Sequence, residues 1–181
     1  VAEVPEADAE QVARTILLDQ LTGRARSRSE LADKLASKNV PDDVASTLLD
    51  RFEEVGLVDD DAFARAWVEG RQSSKGLARR ALAHELRRKG IDDEVAKAAL
   101  DDLDPDDEVE AARGLVRRKL RSMRGVDDVA ARRRLVGMLA RKGYAPGLAY
   151  SVVADELRAA GREDDEDAVP DLDDLDDAGG S

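Results

Sequence analysis

No cysteine occurs among the 181 residues, and histidine occurs once, at position 84. Disulfides, thiol catalysis and cysteine zinc sites are thereby removed, and a reducing compartment suits the chain. A nucleophilic triad needs a base near a hydroxyl and a third group to orient it; nothing around His84 suggests either. His84 falls between Leu82 and Leu86, on the flank of its helix. No glycine-rich phosphate loop ending in Lys-Ser or Lys-Thr is present. Asp59-Asp60-Asp61 reads as a helix cap with charge favourable to the helix dipole rather than as a metal site. No enzyme activity, metal or cofactor is expected. Aromatic residues make up 3%, so leucine, valine and alanine must fill the core. No apolar run approaches the ~20 residues of a bilayer span, and positions 1–10 lack a signal-peptide pattern. The expectation is a cytoplasmic monomer without membrane contact.

What the chain does have is a pattern that occurs three times. Leu35-Ala36-Ser37-Lys38-Asn39-Val40, Leu86-Arg87-Arg88-Lys89-Gly90-Ile91 and Leu139-Ala140-Arg141-Lys142-Gly143-Tyr144 lie 51 and 53 residues apart. Each runs leucine, two surface-type residues, lysine, a residue that tolerates positive φ, and an apolar anchor. Leu31, Leu82 and Leu135 precede the leucines by four residues; Val44, Val95 and Leu148 follow by nine. A period of this size marks stacked helical units, whose extended surfaces bind long partners. Small units have too little interior to stand alone, so neighbours must support one another.

Apolar spacing and caps predict helices over about 10–22, 30–38, 41–55, 60–72, 77–89, 93–103, 106–123 and 146–160, with one more capped by Asp127 and closed by Gly143. Ser27-Arg28-Ser29-Glu30 reads as a capping box. Val12, Ile16, Leu17, Leu48, Phe52, Phe63, Trp67, Val68 and Leu100 are expected to face inward. Phe63 and Trp67 are expected to pack between repeats, with base stacking or a partner hot spot as the sharper alternative. No β alternation competes. The fold class is all-α, an elongated, curved array of three tandem three-helix repeats. Its expected boundaries are a disordered lead-in at 1–9, repeats at 10–57, 58–103 and 104–160, and a disordered acidic tail at 161–181.

Charge divides along the chain. Residues 161–181 hold ten acidic residues and one arginine, most of the net −12, whereas 71–142 hold nineteen Lys/Arg against thirteen Asp/Glu. Such a split suggests a polyanion-facing surface and a solvating or competing tail. Val169, Leu172 and Leu175 recur at three-residue spacing among the tail's aspartates. A solvating tail is the plainer reading; an amphipathic docking segment is the sharper one. Binding through phosphates would be strongly salt-dependent. The acidic, alanine-rich helix at 93–103 argues against insertion into a major groove.

Gly56-Leu57-Val58-Asp59-Asp60-Asp61-Ala62-Phe63-Ala64-Arg65-Ala66-Trp67 resembles a motif of the RecX family. Arg71, Lys75-Gly76, the Arg79/Arg80 pair and Glu85 to Ile91 continue it. The resemblance covers about 13–157. It implies an all-helical modular protein that binds the RecA recombinase filament and regulates it, mostly by inhibiting ATP hydrolysis, strand exchange and co-protease activity. Several members also bind DNA. Leu77-Ala78 stands where members often carry proline, and Asn39 where glycine is usual.

The leading expectation is a RecA regulator, an inhibitor, that docks in the groove of the RecA–DNA filament. Arg71, Lys75, Arg79, Arg80, Arg87, Arg88 and Lys89 are its central contact candidates, extended by Arg117, Arg118, Lys119, Arg132 and Arg133. The expected partners are RecA in filament form and, weakly and salt-dependently, single- or double-stranded DNA. One alternative is a non-sequence-specific DNA-binding module acting through phosphates without RecA. Another is a protein adaptor whose arginines meet an acidic partner.

Overall fold

The structure is a computed structural model and describes residues 6–162. The described residues form nine α-helices and no strand. The first unit comprises α1 (Glu6–Gly23), α2 (Arg28–Ala36) and α3 (Asp42–Glu54). The second comprises α4 (Asp60–Lys75), α5 (Arg79–Arg88) and α6 (Asp93–Asp101). The third comprises α7 (Pro105–Leu120), α8 (Asp128–Arg141) and α9 (Pro146–Ala159). None of these helices is long and apolar enough to cross a membrane. The principal helix packing lies within units, and each unit has its own core.

Local chemistry explains the helix ends. The Ser27 hydroxyl accepts from the Glu30 amide at 3.1 Å while the Glu30 carboxylate accepts from the Ser27 amide at 3.2 Å, the reciprocal capping box. Asp59, Asp92, Asp104 and Asp127 cap α4, α6, α7 and α8 with side-chain oxygens. Inside each unit the repeated leucines carry the core: Leu31 and Leu35, Leu82 and Leu86, and Leu135 and Leu139 are all at most 1% exposed. Their i, i+4 spacing places both on one stripe of the middle helix.

Several expectations need correction. Helix α1 reaches back to Glu6, so part of the expected lead-in is helical. Alanines and acidic residues favour this helix start. Val12 faces solvent at 52% exposure; Ala13 and Leu17 occupy the core stripe one residue on. Phe63 and Trp67 stack at 5.7 Å within the second unit's own core rather than between units. Residues 1–5 of the lead-in and 163–181 of the expected tail lie outside the described residues.

The units meet where the Lys-Gly turn of one rests on the middle helix of the unit before. At the first junction the Ser27 hydroxyl donates to the Lys89 carbonyl at 2.7 Å, and the Lys89 ammonium to Glu30 at 2.6 Å. The Arg28 amide donates to Asp60 at 2.8 Å. The second junction repeats the plan: the Ala78 amide donates to the Lys142 carbonyl at 2.9 Å, and the Lys142 ammonium to the Lys75 carbonyl at 2.6 Å. Arg79 donates from its side chain to Glu108 at 3.2 Å. This junction is also apolar, because Ala78 belongs to the third unit's core and Tyr144 is buried with its hydroxyl on the Gly76 carbonyl at 3.0 Å.

Such contact requires glycine in the turn. A Cβ on Gly143 (φ +91°) would lie 2.4 Å from the Ala81 amide nitrogen, and one on Gly90 (φ +70°) would lie 2.2 Å from the Ser29 hydroxyl. Asn39 has the same left-handed conformation at φ 57°. It belongs to the first unit described, and its turn is exposed. Asparagine meets the conformational demand there without meeting a spatial one.

Candidate interaction surface

The twelve candidate cations separate into those held inside the fold and those left on its surface. Arg71 makes a two-pronged contact with Glu85, at 2.7 Å and 2.6 Å. The same carboxylate accepts from the Trp67 indole N–H at 2.9 Å. The Arg71 guanidinium and the Lys89 ammonium lie 5.0 Å and 4.8 Å from the Trp67 ring centroid. Cations over an indole face are favourable to both. This cluster therefore ties α4 to α5 and, through Lys89 and Glu30, to the first unit. Arg79 is turned inward onto Glu108 and the Leu103 carbonyl. Arg117 forks onto Glu156 with both contacts at 2.8 Å, and Glu156 is only 6% exposed. Arg87 makes a looser, exposed pair with Asp93 at 3.5 Å. Arg132, half-buried on α8, also makes an interaction.

Lys75, Arg80, Arg88, Arg118, Lys119 and Arg133 remain, all exposed and without an ion-pair partner among the described residues. They do not gather at one place. Lys75 and Arg118 share a groove at the second junction with Lys142, Glu69 and Asp107. Arg80 and Arg87 line another, on α5 and α6, with Asp93 and Asp101. Lys119 and Arg133 line a third, between α7 and α8, with Arg134 and Arg141. Arg134, Arg141 and Lys142 were not among the candidates. Helical spacing on α8 was the available signal for Arg134 and Arg141, since 134, 138 and 141 share one face.

Electrostatics follow from the clusters. The hydrogen bond from Arg71 holds the Glu85 carboxyl below the usual 4.5, against its partial burial. Burial alone would raise Glu30, but the bonds from Lys89 and the Ser27 amide outweigh it and hold it below 4.5 as well. Asp60 moves up from 3.8, first through burial, although the Arg28 amide opposes. A carboxylate with a lowered folded pKa adds stability above its unfolded value and loses it as pH falls through the folded one. Asp60 runs the other way, its contribution fading as pH rises through its raised value. Asp101, bonded by Lys97, is lowered as well, and the lowered carboxylates together give a net loss in acid. The urea midpoint is expected to fall below about pH 4.5. Substituting Glu85→Gln should flatten that fall, and an unchanged acid limb would rule the cluster out as its source.

Residues 13–52, 59–100 and 106–153 match the models for the first, second and third three-helix domains of RecX. The chain belongs to the RecX family. A regulatory protein RecX of Thermobifida fusca is 52% identical over 153 residues, 84% of this chain and 83% of that one. One of Streptomyces lividans is 51% identical over 159 residues, 88% of this chain and 85% of that one. The fold also matches a crystal structure of RecX from Lactobacillus salivarius, with a TM-score of 0.77 and 21% identity over 83% of this chain and 97% of that one. A second RecX crystal structure gives a TM-score of 0.75 at 24% identity, over 83% of this chain and 74% of that one. The RecX domain models thus coincide with the three structural units, each built around one leucine pair.

Proposed function

We propose that this chain regulates the RecA recombinase, as an inhibitor that docks along the groove of the RecA–DNA filament and suppresses ATP hydrolysis, strand exchange and co-protease activity. Membership of the RecX family carries this reading, together with relatives that are named regulatory protein RecX. The physical support is a row of three units whose exposed cations are available to a polymeric, acidic partner. Phosphate contacts position a protein along nucleic acid without reading its sequence, which suits cations spread over several grooves. The contact residues on this reading are Lys75, Arg80, Arg88, Arg118, Lys119 and Arg133, supplemented by Arg134 and Arg141. Arg71, Arg79, Lys89 and Arg117 act by holding the units in shape.

ATP hydrolysis by RecA on single-stranded DNA, with this chain titrated in, is the direct test. Hydrolysis is expected to fall at amounts stoichiometric with RecA; an unchanged rate rejects inhibition. Reversing Lys75 and Arg118 to glutamate should relieve the effect while leaving the helical circular-dichroism signal intact. Tight binding to naked DNA with a steep salt slope and no preference for filaments would instead favour a free DNA-binding module.

A further inference from the structure

A fourth groove, between α7 and α9, is lined by Arg117, Arg121, Arg124 and Arg162 together with Glu156; of the four, the one between α7 and α8 differs in composition. Its lining includes Lys119, Arg133, Arg134 and Arg141 and no acidic residue, whereas at least one carboxylate lines each of the others. Those four side chains have no ion-pair partner among the described residues. Met123, 4% exposed, and the half-buried Met138 contribute an apolar floor in a volume of about 620 Å³. A site with cations at its rim and thioethers at its base suits a ligand that is both anionic and aliphatic. Bare phosphate would use only the rim.

The fold brings such a ligand near this groove. Arg162 is fixed there: its guanidinium donates to Asp128 at 2.6 Å, to the Val126 carbonyl, and to the Met123 carbonyl at 3.5 Å. Val126 and Met123 are themselves groove residues. Arg162 itself lines the neighbouring α7–α9 groove, so the chain leaves the described residues between the two grooves. Positions 163–181 contain ten acidic residues and no basic one, with Val169, Leu172 and Leu175 spaced between aspartates. An extended stretch of that length reaches roughly 60 Å, well beyond what the groove requires. Tethering raises the local concentration of the segment to the millimolar range.

We propose that segment 163–181 is the resident ligand of the α7–α8 groove, its carboxylates on Lys119, Arg133, Arg134 and Arg141 and its aliphatic side chains on Met123 and Met138. Any external polyanion reaching this groove must displace the segment. The contact stands apart from the RecA reading; only the competition rests on it.

The absence of cysteine makes the full chain directly testable. A nitroxide on Ala178→Cys, sixteen residues beyond Arg162, should broaden the amide resonances of Arg133, Arg134 and Met138 at low salt. It should spare those around Arg80 and Lys97. Half-molar salt, or Arg133→Glu with Arg134→Glu, should abolish the broadening. Broadening that only decays with distance from Arg162, or that is strongest at another groove, overturns the proposal. A second arm measures binding of a 20-nucleotide oligothymidylate to the full chain with its ten segment carboxylates changed to amides. Affinity at low salt should rise about tenfold, and this gain should vanish when Arg133 and Arg134 are also alanine. A gain undiminished by those substitutions reduces the effect to net charge and defeats the competition. If the oligonucleotide binds neither form, the nucleic-acid part of the proposed function fails, while the nitroxide still decides the contact.

Discussion

Changing Gly143 to alanine is expected to cost about 3 kcal/mol of stability, against about 1 kcal/mol for the same change at Gly56. Both glycines have positive φ, +91° and +75°. Both therefore impose the left-handed penalty on an added side chain. They differ in surroundings: nothing lies within 4 Å of a Cβ at Gly56, whereas one at Gly143 would meet the Ala81 backbone nitrogen at 2.4 Å. A backbone atom cannot rotate aside, so the turn must withdraw, and the Ala78 to Lys142 hydrogen bond at 2.9 Å goes with it. Urea unfolding followed by circular dichroism gives both values. Stacked units unfold together only while their interfaces hold, so the Gly143 variant should also unfold in two phases. Equal costs at the two positions would show that the turn does not bear on the preceding unit.

Glu85→Ala should lower stability by about 2–3 kcal/mol, a large effect for a side chain still 21% exposed. Three donors lose their acceptor at once: both prongs of Arg71 and the Trp67 indole. Arg71 then faces the Trp67 ring without its counter-charge, while Lys89 keeps Glu30. Lys75→Ala, on an exposed side chain of the same unit, should stay within about 0.5 kcal/mol. A double-mutant cycle between Arg71→Ala and Glu85→Ala should show coupling of about 1–2 kcal/mol. Additive losses would mean that the geometry of the pair contributes nothing beyond two separate side chains. The contrast matters for testing the proposed function: a weaker effect on RecA in an Arg71 variant would report on folding as much as on contact, whereas one in a Lys75 variant would report on contact.

The fold was legible because its determinants are local. A leucine four residues from another, a serine three before a glutamate, and an aspartate ahead of an apolar run specify a stripe, a capping box and a cap without reference to distant residues. The left-handed residue at position 39 was readable for the same reason. Val12 was misplaced because α1 carries apolar residues on adjacent positions, and spacing alone does not choose between Val12 and Ala13. The candidate surface was less legible, because an arginine reads the same whether it faces solvent or a carboxylate. Arg71 and Glu85 are fourteen residues apart, Arg79 and Glu108 twenty-nine, Arg117 and Glu156 thirty-nine. Only packing brings them together. Lys89 stands among the expected partner contacts, but it and Lys142, which is not one of them, close the junctions.

Those junctions are unlike in chemistry. The first rests on Lys89 with Glu30, the Ser27 hydroxyl and Asp60, while the second also encloses Ala78 and Tyr144. Dissolved ions weaken charge pairs and leave buried hydrocarbon untouched. Rising ionic strength is therefore expected to weaken the first junction before the second. In concentrated electrolyte the first junction is expected to be the more yielding of the two, its stiffness answering to the surrounding solution.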